Sequence, residues 1–66
     1  MAVLKVIEVL SSSNKSFEDA IEKAIKKADK SLKNIRSANV HNMSVSVDGG
    51  KIKEYRVNIK ITFELT

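Results

Sequence analysis

From Tyr55 to Leu65 the chain alternates without a break, with Tyr55, Val57, Ile59, Ile61, Phe63 and Leu65 set against Arg56, Asn58, Lys60, Thr62 and Glu64. A strict period of two is the mark of a β-strand with one buried face. At about 3.3 Å per residue this strand runs for over about 30 Å, long for a small domain. Sixty-six residues leave room for one helix to cover it. The surplus apolar surface is therefore expected to be buried in an assembly.

The length sets the chain up as one domain, residues 1–66, and a chain of this size buries only about 60% of its unfolded surface. Such domains need a staple. Cysteine is absent, which removes disulfides and a thiolate zinc site, and the single histidine, His41, cannot build a zinc cluster alone. Oligomerisation is the remaining device. No apolar run approaches the ~20 residues of a membrane span, and the first residues, Met1 to Lys5, lack the pattern of an export signal. Cytoplasmic residence and no membrane partner are the corresponding expectations. The net charge of +4 is moderate and fits a solvated surface as well as it fits anionic ligands.

Val3 to Leu10 reads as a first strand with apolar residues on both faces, interrupted only by Lys5 and Glu8. The run Ser11-Ser12-Ser13-Asn14 reads as a turn. Ser16 is placed to cap a helix, with Asp19 as the acid of a capping box. Phe17, Ala20, Ile21, Ala24, Ile25, Ala28, Leu32 and Ile35 then form one stripe at helical spacing, so the helix is expected to reach Ile35. Asp19–Lys23 and Glu22–Lys26 are its favourable i,i+4 pairs. Lys23, Lys26, Lys27, Lys30 and Lys33 make a solvated face or a stripe for phosphate. Met43, Val45 and Val47 mark a second strand, with Val40 out of phase and a bulge expected near His41. Asp48-Gly49-Gly50 is a hairpin turn. The third strand follows from Lys51, with Ile52 again out of phase. The fold class is α+β, a β-α-β-β chain whose three-stranded antiparallel or mixed sheet, in order 1-3-2, partly wraps one helix.

Chemical signatures of catalysis are missing. Gly49 and Gly50 join two strands and do not feed a helix, so they form no phosphate loop. Asp48 has no spaced acidic set around it for a cation. Phe17, Tyr55 and Phe63 are the only aromatic residues, too few for a stacking platform. The chain reads as a non-enzyme.

Lys5-Val6-Ile7-Glu8-Val9, the serine run Ser11-Ser12-Ser13, and the helical rhythm Ala20-Ile21, Ala24-Ile25, Ala28 and Ser31-Leu32-Lys33-Asn34-Ile35 together resemble one family, the dodecins. The ending is similar as well, through Gly49-Gly50-Lys51-Ile52, Tyr55-Arg56-Val57 and Lys60-Ile61-Thr62-Phe63-Glu64-Leu65. The likeness spans essentially the whole chain without a gap. It implies a β-α-β-β subunit of a hollow dodecamer that stores, buffers or quenches flavin and does no catalysis; coenzyme A binding also occurs in the family. In the flavin binders a tryptophan after the helix stacks on the isoalloxazine ring and a glutamine in the third strand bonds its edge.

The departures from that pattern bear on the ligand. The tryptophan position is Ser37, followed by Ala38, and the glutamine position is Arg56; Asn42 stands where several members carry an acid. Serine cannot stack, and a stack is worth about 1–3 kcal/mol per base or ring. Arginine donates hydrogen bonds but cannot accept one from a flavin N3–H. Ser37, Arg56 and Asn42 are thus the candidate ligand-binding residues. Arg56, joined by Arg36 and Ser37, suits phosphate or carboxylate; the competing account pairs Arg56 with Glu54 or Glu64. The leading expectation is a dodecameric protein that binds or sequesters a small anionic ligand or an ion, with no certain cofactor. One alternative is flavin, as riboflavin or FMN, in a variant site. The other is a small basic nucleic-acid-binding module, against which stands the absence of a GxxG loop or exposed aromatic pair.

Overall fold

The computed structural model describes residues 2–65. Its elements run β1 (Val3–Ser13), α1 (Phe17–Asp29), β2 (Ile35–Asp48) and β3 (Lys51–Leu65). The sheet has three strands in the order β1-β3-β2, and both pairings with β3 are antiparallel. β1 and β2 therefore run the same way without touching, and the long alternating strand occupies the centre.

The register of β3 settles which residues are core. Val57, Ile59 and Ile61 are buried beneath Ala20 and Ala24 of α1, with Ile7, Val9, Phe17, Ile21, Ala28 and Ile35 packed around them. Alanines at the contact bring the helix axis close to the strand, so small residues on α1 meet β-branched residues on β3. Phe17 closes one end by an edge-on contact with Tyr55, ring centroids 5.1 Å apart. The helix lies across β1 and β3 and barely reaches β2. Met43, Val45 and Val47 consequently stay exposed, as do Leu4, Val6 and Leu10 on β1.

Two sequence expectations are corrected. The serine run is strand, not turn: β1 continues to Ser13, which pairs with Tyr55. The hydroxyls explain how polar residues serve there. Ser11 Oγ donates to the carbonyl of Ala20 at 2.8 Å, and Ser13 Oγ, buried, donates to Asp19 at 2.6 Å while accepting from the backbone N–H of Lys15 at 2.9 Å. They fasten the end of β1 to the first turn of α1. Ser16 caps that turn by accepting from the N–H of Asp19 at 3.0 Å. The Asp19 carboxylate faces Ser13 and Lys23, at 3.3 Å from the latter.

The helix ends at Asp29 and does not extend to Ile35. Its last turn tightens as the N–H groups of Ser31 and Leu32 both reach the carbonyl of Ala28. Asn34 then takes a left-handed conformation, φ 62°, tolerable for asparagine. Its carbonyl accepts from the N–H of Glu64 at 3.0 Å, so the chain has joined the sheet by that point. Ile35 pairs with Phe63. Leu32 and Ile35 hold a helical spacing from Ala28, but cross-strand pairing with β3 decides their structure. Arg36 accordingly lies on β2, where it bonds Glu64 at 3.0 Å.

The two phase breaks are real. β2 skips His41 between Val40↔Ile59 and Asn42↔Asn58, and β3 skips Lys53 between Ser46↔Glu54 and Val47↔Ile52. A third irregularity falls at Arg36. Gly49 and Gly50 turn the hairpin with φ of 59° and 77°, which strains any residue bearing a Cβ.

Ile59→Ala is expected to cost about 2–5 kcal/mol, because the site lies under α1 and cannot collapse freely; urea unfolding at fixed protein concentration measures it. A second expectation concerns acid. The Ser13 hydrogen bond, opposed by desolvation and helped by Lys23, holds the Asp19 carboxyl below its ordinary value. A lowered folded-state value stabilises the fold above about pH 4, and that share is lost as pH falls through the lowered value. The stability gap between the wild type and Ser13→Ala at pH 7 should therefore narrow below about pH 4. A gap of constant size would show that this bond is not linked to protonation.

Candidate functional site

The face of the sheet turned away from α1 carries the even-numbered residues of β3. The bulge at His41 decides what joins them from β2. Without that extra residue Asn42 would fall on the helix side; with it, Asn42 pairs with Asn58 and Ser44 with Arg56. From the other edge, Leu10 is opposite Asn58 and Ser12 is opposite Arg56. Two rows result, Leu10–Asn58–Asn42 and Ser12–Arg56–Ser44. They line a pocket of ≈ 330 Å³, at the small end of the range for ligand sites.

Arg56 and Asn42, two of the three residues singled out from the sequence, are thereby brought together. Ser37 is not. It lies on the same face, but it pairs with Thr62, four residues along β3 from Asn58 and so about 13 Å away. Arg36 is held at that far end by Glu64 and does not join Arg56 within the chain. Asn58 was missed from the sequence. Its place in the polar phase of β3 was legible, but nothing in the alternation marks one polar residue above its neighbours.

The guanidinium of Arg56 stands 3.5 Å from Glu54. Both side chains are solvent-accessible, at 57% and 36%, so this pair is worth about 0–1 kcal/mol and leaves most of the donors of Arg56 available. Glu54 is also approached by the hydroxyls of Ser12 and Ser46, each at a long 3.4 Å. Around the Arg56 guanidinium the pocket therefore sets short hydroxyl and amide side chains, with Leu10 as an exposed aliphatic wall and Glu54, outside the lining, as the partner of Arg56. Such a surface can hold an anionic or carbonyl oxygen at Arg56 and hydrogen-bond the rest of a small molecule.

Other surfaces are less apt. A larger groove of ≈ 540 Å³ runs between β1 and α1, walled by Ile7, Val9, Ala24, Ala28 and Leu32 with Lys23 and Lys27 beside them. It offers aliphatic contact and few oriented polar groups. The helix lysines lie on the opposite side of the sheet from Arg56, so the two sets of charge form no single basic track. Among the described residues, no three His, Cys, Asp or Glu side chains gather where they could hold a metal ion. No helix among them is long and apolar enough to cross a membrane.

Comparison with known proteins adds a family. The family model described as Dodecin matches residues 3–66. A calcium dodecin of Mycobacterium tuberculosis is 32% identical over 65 residues, covering 98% of this chain and 92% of that protein. The crystal structure of a calcium-chelating calcium dodecin from the same organism superposes with a TM-score of 0.84 at 35% identity, over 97% of this chain and 91% of the other. A point variant of the Thermus thermophilus dodecin gives a TM-score of 0.94 at 27% identity, over 100% and 98% of the two chains.

If the pocket is a surface for ligand and not a support of the fold, Glu54→Gln should alter stability by no more than about 0.5 kcal/mol. A urea midpoint displaced well beyond that would make the Glu54 cluster a structural anchor.

Proposed function

The chain belongs to the dodecin family, and on that footing we propose that it is a non-catalytic subunit of a dodecameric shell that binds and sequesters a small ligand at the Arg56–Asn42 pocket. The observation that carries the ligand reading is the convergence of Arg56, Asn42, Asn58, Ser12 and Ser44 on one pocket that spans all three strands. Arg56 holds an anionic or carbonyl oxygen of the ligand. Ser37 enters only where a neighbouring subunit brings it near, because within one chain it is remote from Arg56.

The assembly is supported by the shape of the single chain. Its radius of gyration is 13.5 Å, against about 11 Å for a compact domain of this length. Its accessible surface of 4976 Å² exceeds the roughly 4,200 Å² of a self-contained monomer of this mass. The excess is apolar in part: Leu10 is 81% exposed, and Val3 and Val47 are each 63% exposed. Partner subunits would cover these residues and the groove beside α1.

Two other ligand readings weigh less. Calcium takes 6–8 oxygen ligands, often from several carboxylates; here the pocket region supplies Glu54, and Arg56 is its partner. The donor set of one chain does not fit that ion. Flavin is favoured by one feature, the apolar wall of Leu10 beside hydrogen-bonding side chains. It lacks an aromatic stack, since the outer-face pocket contains no aromatic residue. Riboflavin or FMN would bind by its polar edge and by aliphatic contact.

The test joins mass to affinity. Native mass spectrometry of the purified protein should show twelve chains of 7.3 kDa, roughly 88 kDa in all. Titration with FMN and with inorganic phosphate should show binding that Arg56→Ala weakens by about tenfold or more, the loss of a charge-assisted hydrogen bond. A monomer or dimer would overturn the shell. Binding that ignores Arg56→Ala would move the ligand elsewhere.

A further inference from the structure

The hairpin that joins β2 to β3 reaches past the rest of the subunit. β1 stops pairing with β3 at Ser13↔Tyr55, and α1 begins against the same tyrosine, through Phe17. Beyond that point the start of β3, Lys51 to Glu54, pairs only with Ser46 to Asp48. A two-stranded arm thus extends one end of a molecule drawn out to 50 × 19 × 13 Å. Such a ribbon is marginally stable alone in water. One face of this arm is apolar. Val45 pairs with Tyr55 on the helix side of the sheet, and Val47 follows on that side. Strict alternation along β3 would send Ile52 to the opposite face, but the bulge at Lys53 brings it to pair with Val47. Ile52 is 52% exposed and Val47 63%, so the bulge builds an aliphatic strip that its own chain leaves uncovered.

We propose that this arm joins one copy to the next, its strip of Val45, Val47 and Ile52 seated in the groove between β1 and α1 of a second copy. This rests on the reading of the chain as an assembling subunit and names the two surfaces that meet. The groove, ≈ 540 Å³, supplies the complementary shape, with aliphatic walls that include Ile7 and Val9 on β1 and Ala24 and Ala28 on α1. A chain cannot fill its own groove. Val9 and Ile7 stand opposite Ile59 and Ile61, at least seven residues along the continuous strand from Ile52 and so over about 20 Å away. The exposed area identifies a second copy as the occupant. At 4976 Å², the accessible surface is roughly 800 Å² above that of a self-contained monomer of this mass, close to one partner's share of a standard interface. Arm and groove are different patches, so the contact is heterologous. Each copy gives an arm to one neighbour and takes an arm from another, and such contacts close into a ring when the rotation between copies allows.

Cross-linking reads this contact directly, since the chain has no cysteine of its own. Val47→Cys marks the arm and Ser31→Cys marks the groove; both positions are exposed. Val47 pairs with Ile52, whereas Ser31 lies just before Asn34, whose carbonyl meets the N–H of Glu64. Within one chain the two positions are on the order of 30 Å apart, out of reach of a short bismaleimide. The doubly substituted protein should put most of its chains into a ladder of linked species on a denaturing gel, and neither single variant should form one. In native mass spectrometry, Val47→Lys combined with Ile52→Lys should lose the shell while keeping the circular-dichroism spectrum of the wild type, because both side chains are exposed. The cross-link decides independently of whether that lysine variant folds. A wild-type shell whose doubly substituted form gives no ladder would overturn the arm–groove contact and leave the shell reading standing. A dimer band from Val47→Cys alone would do the same, because arm would then meet arm, and so would a shell that survives both lysines. A monomeric wild type would overturn the shell reading itself, and the contact with it.

Discussion

Everything in this subunit depends on the double duty of β3. It is the central strand, hydrogen-bonded on both edges, and its register along β1 is continuous from Val3↔Leu65 to Ser13↔Tyr55. Burial of Val57, Ile59 and Ile61 under two alanines of α1 fixes which face is core. Because side chains alternate, that choice sends Arg56 and Asn58 to the other face with no further instruction. A slip of one residue would invert both sets at once and bury an arginine. The residues of the outer-face pocket are thus held in place by the core energetics, and no separate network is required to position them.

The flanking strands adapt to this centre. β1 ends in serines whose hydroxyls grip the first turn of α1 on one face, through Ser11 and Ser13, while Ser12 stands in the pocket on the other. A run of larger apolar residues there would close the pocket and leave the helix end without its hydrogen bonds. β2 adapts by bulging at His41. The extra residue keeps Val40 with Ile59 on the helix side and still delivers Asn42 and Ser44 to the outer face. An irregularity that weakens the ladder locally thereby brings Asn42 and Ser44 into the lining of the outer-face pocket.

The legible and illegible parts of this structure divide along a physical line. Strict alternation in β3, the Asp48-Gly49-Gly50 turn and the Ser16 cap are local signals, and local chemistry decides them. Phase breaks at Val40 and Ile52 were visible because a bulge must displace the apolar period. The end of α1 was not visible: Leu32 and Ile35 fit a helix as well as the approach to a strand, and only pairing of Ile35 with Phe63 chooses. The serine run misled in the same way, since turn-forming side chains become strand residues where Tyr55 and Val57 offer a ladder. Arg56 and Asn42 could be picked out through the family resemblance, and their proximity follows from the register. Asn58 could not be, because its distinction is a place in the pocket lining and not a pattern. Ser37 shows the converse: a position notable in the family sits on the right face but about 13 Å from Asn58.

The incomplete core and the open pocket are linked. In a lone chain the Arg56 side chain is 57% exposed, so its attraction to a ligand oxygen is screened nearly as in water. On the same sheet face Leu10, 81% exposed, forms part of the pocket wall, and Val6 and Leu4, each about half exposed, continue the apolar surface toward the far end of the sheet. A partner that covers these aliphatic residues must approach the pocket rim, and in doing so it excludes water from Arg56. Coulomb attraction strengthens several-fold as the effective dielectric falls from that of bulk water toward about 20. Ligand affinity in the proposed shell would then derive from assembly, and a bound ligand would in turn favour the assembled form by mass action. In that proposed shell the exposed apolar surface of the subunit and the solvent screening of its isolated pocket would have one cause, a face completed by another copy.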